Sequence, residues 1–290
     1  MYRDAMEFNF ENTEAMTERM DMLRRGLEEK IGEYGSAIIG FSAGVDSSVV
    51  AAAAHAALGA RALAVTAVTE TITGEDLELA GMITSRLGMA HERITYSELA
   101  IPNYADNPAN RCYFCKDALY VRLLGMARER GYAAVLDGAN ADDDGDYRPG
   151  RTAAAEQGIR SPLLDLGITK AEVRSLAEYY GLPNHDKPSA PCLSSRVPYG
   201  TPITREILTR IDRAERALRD LGFRELRVRH HGELARIEIP RDDFQRALDL
   251  ADTIDAALTG AGYRYISLDL RGFRSGSLNE TLTQIQIPAL

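Results

Sequence analysis

Two patterns in this sequence can do chemistry. The first is Ser42-Ala43-Gly44-Val45-Asp46-Ser47-Ser48, which follows the apolar run Ser36 to Phe41 and precedes an alanine-rich stretch, Ser47 to Leu58, with helical character. A loop between a strand and a helix leaves the first backbone N–H groups of the helix unpaired. With the helix dipole and the hydroxyls of Ser42, Ser47 and Ser48, they make a cradle suited to a pyrophosphate. Asp46 would repel a phosphate, so its expected work is capping the helix or holding Mg2+ against the phosphates. Neither GxxxxGK[ST] nor GxGxxG occurs. An ordinary serine-capped helix start is the plain alternative.

The second pattern is made of three cysteines. Cys112 and Cys115 form a CxxC in RCYFCKDALY, and Cys192 stands far along the chain in PCLSSR. Two ligands from one turn plus a distant third leave a tetrahedral zinc or a 4Fe-4S cluster one ligand short. On a cluster, the iron without a protein thiolate can hold a hydrosulfide and present it to an activated carbon. With His185 as a fourth ligand the set would instead close a structural zinc site. A CxxC redox pair and three unrelated thiols are the other readings.

These residues need elements to position them. An amphipathic helix is expected from about Glu11 to Gly35, followed by strands at 36–41, 62–68, 91–95 and 133–136 alternating with helices at 47–58, 74–87, 116–130 and 169–180. Such alternation predicts an α/β fold, a parallel sheet with helices on both faces and ligands beyond the carboxyl ends of its strands. On that sheet edge, Asp137-Gly138-Ala139-Asn140-Ala141-Asp142-Asp143 would lie near the phosphate cradle. Asp142 and Asp143 are therefore candidates for Mg2+ or ribose, an acidic solvated turn being the alternative. Five prolines between Gly181 and Pro202 preclude a long helix and mark a functional loop or linker. Beyond it, helix, strand, strand, helix, strand reads as a smaller α+β domain, which sets the expected domains at 1–196 and 197–290.

Composition narrows the class. The 290 residues are 45% hydrophobic and 27% charged with a net charge of −9, and no apolar run is long enough to span a bilayer. From Val197 onward fourteen arginines meet fourteen carboxylates, so the whole negative balance lies before it. A protein whose affinity rests on neutralising many nucleic-acid phosphates is disfavoured. The N-terminus carries acids where a targeting peptide carries basic and apolar residues, which makes a cytoplasmic location the expectation.

The Ser42 loop resembles the SGGxDS signature of the PP-loop ATP pyrophosphatases (adenine nucleotide alpha hydrolase-like), with Ala43 where the first glycine usually stands. Asn107-Pro108 with Arg111-Cys112-Tyr113-Phe114-Cys115-Lys116, Asp146-Tyr147-Arg148-Pro149-Gly150, Ser161-Pro162-Leu163 and Cys192-Leu193-Ser194-Ser195-Arg196 together resemble the LarE family of ATP-dependent sulfur transferases, from about Ser36 to Ile239. The resemblance implies cleavage of ATP to AMP and pyrophosphate, adenylation of a carboxylate of pyridinium-3,5-biscarboxylic acid mononucleotide, and replacement of its oxygen by sulfur during nickel-pincer nucleotide synthesis. In one branch a single cysteine, matching Cys192, gives up its own sulfur and becomes dehydroalanine. The extra Cys112 and Cys115 are similar to the three-cysteine branch, in which thiolates hold a 4Fe-4S cluster that sulfide or another sulfur donor reloads. The implied cofactors are ATP, Mg2+ and that cluster, and homo-oligomers are implied by the family.

A mononucleotide substrate needs a second phosphate site. The matching basic residues are Lys116, Arg196, Arg227 and Arg229, with Ser195 beside them; strand spacing puts Arg227 and Arg229 on one face. Glu215 and Glu238 match positions that orient those arginines or a metal. An exposed strand face in surface ion pairs is the plain alternative for RVR. His230 and His231 point to opposite faces and receive no role. The rivals from other classes are a PP-loop tRNA thiolase, an ATP-dependent amidating synthetase, which needs no cysteine triad, and a zinc-stabilised nucleotide-binding module without turnover.

Overall fold

The computed structural model describes residues 2–143, 149–188 and 191–274, and side chains from Thr17 onward. The chain divides into two compact units. The first comprises Met1–Val68, Gly74–Tyr96 and Lys116–Ser189, and the second comprises Thr69–Thr73, Ser97–Cys115 and Ala190–Leu290. The division differs from a single boundary after residue 196, because two excursions, 69–73 and 97–115, leave the first unit and build the second.

In the first unit, β1 (Ala37–Gly40), β2 (Ala62–Val68), β3 (Ala90–Thr95) and β4 (Ala134–Leu136) form a parallel sheet in the order β3-β2-β1-β4. α1 (Tyr2–Gly32), α2 (Val45–Leu58), α3 (Gly74–Leu87), α5 (Pro149–Glu156), α6 (Pro162–Asp165) and α7 (Lys170–Tyr179) belong to it, as does α4 (Arg111–Arg130) from Lys116 on. The short α5 and α6 were not expected from the sequence, where their few apolar positions show no periodicity. α2 is buried along nearly its whole length, and its four consecutive alanines, Ala51–Ala54, let it pack closely among Leu27, Ile31, Val173 and Leu176 of α1 and α7. The order of strands matters for function. β1 has β2 on one side and β4 on the other, so the chain leaves β1 and β4 at the switch point of the sheet, where the loops after neighbouring strands diverge and leave a crevice.

In the second unit, β5 (Arg227–His231) pairs antiparallel with β6 (Leu234–Glu238), which pairs parallel with β7 (Tyr265–Leu268). α8 (Arg205–Asp220), α9 (Phe244–Asp249) and α10 (Ala251–Ala261) complete it. Ala214 and Leu218 of α8 pack with Val228, Ala235, Ile237 and Leu258 in one core, the α+β arrangement that the alternation in this half calls for. No helix among the described residues is long and apolar enough to cross a membrane.

Candidate active site

The Ser42–Ser48 loop occupies the turn between β1 and α2 in the first unit. Ala43 takes φ 55°, the left-handed conformation that favours glycine, although a methyl group stands there. The cost of such a residue is about 1 kcal/mol. Gly44 occupies the N-cap position without a side-chain cap, leaving the helix start to its neighbours. Ser42 Oγ accepts the Gly44 N–H at 3.3 Å and lies 3.2 Å from Ser47 Oγ, which donates to the Gly44 carbonyl at 3.1 Å. Val45 and Ser48 are buried beneath.

Asp46 is not a cap. Its carboxylate forms an ion pair with Lys170 and accepts from Asn140 Nδ2 at 3.0 Å. Asn140 arrives through the loop after β4, and Gly138 is what lets that loop come so close: a Cβ there would lie 2.8 Å from Ser47 N. Asp142 and Asp143 shape this loop and its surroundings. Asp143 Oδ2 accepts from Asn140 N at 3.1 Å, and Asp142 Oδ2 accepts from the backbone N–H of Lys170 at 3.0 Å. Opposite in sequence, Asn184 Nδ2 donates to the Ala43 carbonyl at 3.0 Å and to Ser48 Oγ at 2.9 Å, while Lys187 pairs with Asp76 at 2.6 Å and lies 3.5 Å from the Ala43 carbonyl. Lys170, Lys187 and Asn184 escaped the sequence reading, and Asn140 was expected near the cradle without a role of its own. For Lys170 a signal existed: it stands at the first position of a helix with a Thr169/Glu172 capping box, where a cation opposes the helix dipole and so asks for another reason to be there.

All three cysteines fall in the second unit. α4 starts at Arg111 rather than at Lys116, so Cys112 and Cys115 lie three apart on one helical face, and Cys192 precedes the 3-10 turn Leu193–Arg196. None is in a disulfide. Cys115 Sγ donates to Glu98 Oε1 at 3.2 Å, and the other Glu98 oxygen accepts from Thr71 Oγ1 and Tyr104 OH, each at 2.8 Å. Tyr104 OH also lies 2.7 Å from Ser194 Oγ, which ties the turn after Cys192 to this buried carboxylate. Cys192 is open to solvent on one side, yet the protein crowding it desolvates the sulfur and pushes its thiol up, against the opposing pull of Arg111.

Beside that turn lies a buried cluster of charge. Arg196 grips Glu215 with two bonds, 2.8 and 2.9 Å, and donates to the carbonyls of Pro191 and, at 3.3 Å, Cys192. Arg229 donates to Glu238 at 2.9 Å and to the Ser195 carbonyl at 2.6 Å. Both carboxylates are fully buried, so they serve to orient arginines, Glu215 also accepting from Val228 N at 3.0 Å. Arg227 is different. It has no carboxylate within ion-pair distance among the described residues, only the Arg274 carbonyl at 3.2 Å and the Phe273 ring 4.6 Å away. Burial, with Arg229 and Arg196 beside it, lowers its pKa to about 10. The RVR segment is thus no exposed face in surface ion pairs. Lys116 lies in the first unit, its ammonium 5.7 Å over the Tyr120 ring. His230 is buried near Tyr263 OH at 3.3 Å and His231 is exposed, pointing to opposite faces. His185 sits in the first unit with Nδ1 3.1 Å from the Leu182 carbonyl. Asp146, Tyr147 and Arg148 lie outside the described residues.

A parallel sheet whose switch point carries a serine-glycine loop, backed by an aspartate, an asparagine and two lysines, defines an ATP-using enzyme of the PP-loop class. The NAD synthase family matches residues 15–109. An uncharacterized protein of Synechocystis sp. is 47% identical over 260 residues, covering 89% of this chain and 97% of its own. Pyridinium-3,5-bisthiocarboxylic acid mononucleotide synthase of Lactiplantibacillus plantarum is 39% identical over 250 residues, 86% of this chain and 91% of that enzyme. The tRNA-specific 2-thiouridylase of Rickettsia peacockii is 28% identical over 191 residues, about half of each chain. The chain belongs to the family of the L. plantarum synthase, the LarE family of ATP-dependent sulfur transferases.

Proposed function

We propose that this enzyme adenylates a carboxylate of pyridinium-3,5-biscarboxylic acid mononucleotide and replaces the activated oxygen with sulfur, as the name of its L. plantarum relative suggests. One observation carries the assignment of the substrate's phosphate: the turn that bears Cys192 is hydrogen-bonded to the buried arginine cluster, through Arg196 to the Cys192 carbonyl and Arg229 to the Ser195 carbonyl. Anchoring a phosphate on Arg227 and Arg229 therefore places the rest of the mononucleotide at the cysteine that matters, which converts binding energy into orientation.

In this mechanism the Ser42–Ser48 loop binds the β and γ phosphates of ATP through N–H groups and hydroxyls, so that pyrophosphate leaves as a unit when the substrate carboxylate attacks the α phosphorus. Asp46 would hold Mg2+ against these phosphates, releasing Lys170 to meet the same negative charge. Asn140 fixes the other Asp46 oxygen, and Asp142 and Asp143 hold the loop that presents it.

The donor set fits a 4Fe-4S cluster in its chemistry, since three thiols stand in one unit and Cys192 feels the charge of Cys112. They are not gathered in a ready pocket: among the described residues no group of three or more His, Cys, Asp or Glu is. Cys112, Cys115 and Cys192 would hold the cluster, which supplies a replaceable hydrosulfide on the iron lacking a thiolate. Glu98 and Tyr104 keep the segments leading to Cys115 and Cys192 in register.

The test is an anaerobic reaction of the enzyme, reconstituted with iron and sulfide, with ATP, the mononucleotide and excess sulfide, followed by mass spectrometry of product and protein. AMP, pyrophosphate and more than one thiocarboxylate per chain, with Cys192 intact, support the full reading. A single turnover leaving Cys192 about 34 Da lighter, as dehydroalanine, would remove the cluster and keep the adenylation. ADP as the product would sink the nucleotide assignment.

A further inference from the structure

The Ser42–Ser48 loop is gripped from outside by one amide. Asn184, 3% exposed, donates through Nδ2 to the Ala43 carbonyl at 3.0 Å and to Ser48 Oγ at 2.9 Å, so it ties the residue before the N-cap to the first turn of α2. Its Oδ1 is buried without a partner among the described residues. A buried acceptor left unsatisfied is costly, and the same amide turned over would set that oxygen against the Ala43 carbonyl, so the side chain works here through its donor alone.

The carbonyl it holds belongs to the peptide between Ala43 and Gly44, whose N–H is one of the groups the loop can offer an anion. In a trans peptide the carbonyl and the N–H point in opposite directions. With the carbonyl held by Asn184, and the Lys187 ammonium 3.5 Å from it, the Gly44 N–H is turned to the other side. There it meets Ser42 Oγ at 3.3 Å, a long bond that a phosphate oxygen can replace. Without the clamp this peptide has a reason to turn. Ala43 sits at φ 55° although it carries a methyl group, and a return to negative φ would swing the peptide and take the N–H out of the cradle. Asn184 is itself fixed. Arg174 of α7 donates to the carbonyls of His185 and Lys187, each at 3.0 Å, and the Lys187 N–H closes a turn on the Asn184 carbonyl at 3.1 Å. The helix that brings Lys170 to Asp46 thus also holds the segment that brings Asn184 to Ala43.

We infer that Asn184 is a positioning residue for the phosphate chain of ATP, fixing the Ala43–Gly44 peptide with its N–H facing the β and γ phosphates, which rests on the assignment of those phosphates to the loop in the proposed function. The test is calorimetry in the presence of Mg2+ with three probes, ATP, pyrophosphate and AMP, on the wild type and on Asn184→Leu, which keeps much of the shape and loses the donor. The variant is expected to bind ATP and pyrophosphate about tenfold more weakly and AMP almost as the wild type does, since AMP has no β or γ phosphate. A loss shared equally by all three probes would mark a role in stability only. Unchanged affinity for pyrophosphate would show that the peptide keeps its orientation unaided, and either result overturns the inference.

Should Asn184→Leu fail to fold, the wild type still decides. Crystallised with a non-hydrolysable ATP analogue, it should show the Gly44 N–H donating to a β or γ oxygen while Asn184 keeps both of its bonds. An Ala43 carbonyl that parts from Asn184 when the nucleotide binds, or a Gly44 N–H that meets no phosphate, would overturn the assignment of this role. Substrate-dependent formation of ADP by the wild type, with the three affinities behaving as expected, would defeat the proposed function alone. AMP and thiocarboxylate formed by a protein whose pyrophosphate affinity is indifferent to Asn184 would defeat this inference alone.

Discussion

The two proposed anion sites of this protein are made from different materials. The Ser42–Ser48 loop uses peptide N–H groups and hydroxyls, with its charged residues, Lys170 and Lys187, already paired to Asp46 and Asp76 and partly exposed. The second unit uses guanidinium groups, Arg196, Arg227 and Arg229, buried with Glu215 and Glu238. Dipoles and partly exposed lysines suit a phosphate group that must depart as pyrophosphate, because they hold it without a deep electrostatic well. Buried arginines suit a phosphate that stays bound while the other end of the molecule reacts. Glu215 and Glu238 each also meet a second guanidinium, Arg219 and Arg236, so the cluster carries positive charge in excess, and Arg227 is the member with no carboxylate within ion-pair distance among the described residues.

The largest expected effect is at the loop. Asp46→Ala should lower substrate-dependent pyrophosphate release by roughly a hundredfold or more, through loss of the Mg2+ ligand and of the group that organises Lys170 and Asn140. Release at a rate near wild type would show that the two sites do not divide the labour as described.

Next comes the arginine cluster. Changing both Arg227 and Arg229 to Ala should weaken the mononucleotide about tenfold to a hundredfold and spare ATP, as a charge-assisted arginine-phosphate bond is worth ~1.5 to 3 kcal/mol. Calorimetry with each ligand checks it. Affinity lost for ATP and kept for the mononucleotide would mean that the sites are interchanged.

A smaller effect separates binding from stability. The folded protein holds the Arg227 proton less tightly than the unfolded chain does, its pKa lowered from the ordinary arginine value to about 10, so the charged side chain opposes folding throughout the range below about 10. Between those two values the unfolded chain binds more protons, and stability attributable to this residue rises with pH. Arg227→Met should therefore stabilise the ligand-free protein by ~1 to 3 kcal/mol while weakening the mononucleotide, measured as denaturant midpoint and affinity on the same sample. A destabilised variant would show that the cluster is already neutralised without ligand.

The smallest effect is at Ala43. Ala43→Gly relieves a left-handed alanine at the expense of one buried methyl group, so stability should change by less than ~1 kcal/mol and ATP affinity hardly at all. A loss of nucleotide binding would show that the methyl group itself shapes the loop.

Much of the architecture was legible because it is local. Alternation of apolar runs with helical periodicity marked the four parallel strands and the helices between them, and the same reading marked helix, strand, strand, helix, strand in the second half. The start of α4 was placed five residues late, as Arg111-Cys112-Tyr113-Phe114-Cys115 carries no helical apolar period. At the loop, Ser42, Asp46 and Ser47 were identifiable by type and position, and the segment bearing Asn140 was expected beside it, whereas Lys170, Asn184 and Lys187 reach it from far along the chain with ordinary composition around them. Glu98 and Tyr104 were equally silent; a glutamate near a tyrosine says nothing until both are buried together.

What the sequence by itself determined is the order of elements, the strand-loop-helix cradle, the spacing of the CxxC and the alternation that turns Arg227 and Arg229 the same way. Backbone periodicity and short-range sterics suffice for each of these, since they act between residues a few positions apart. Only the tertiary structure decided which unit receives residues 69–73 and 97–115, which carboxylate meets which cation, and which cations go without one. Those outcomes depend on distance and burial between residues remote in the chain, and the energy of a charge changes severalfold with its surroundings while its letter in the sequence stays the same.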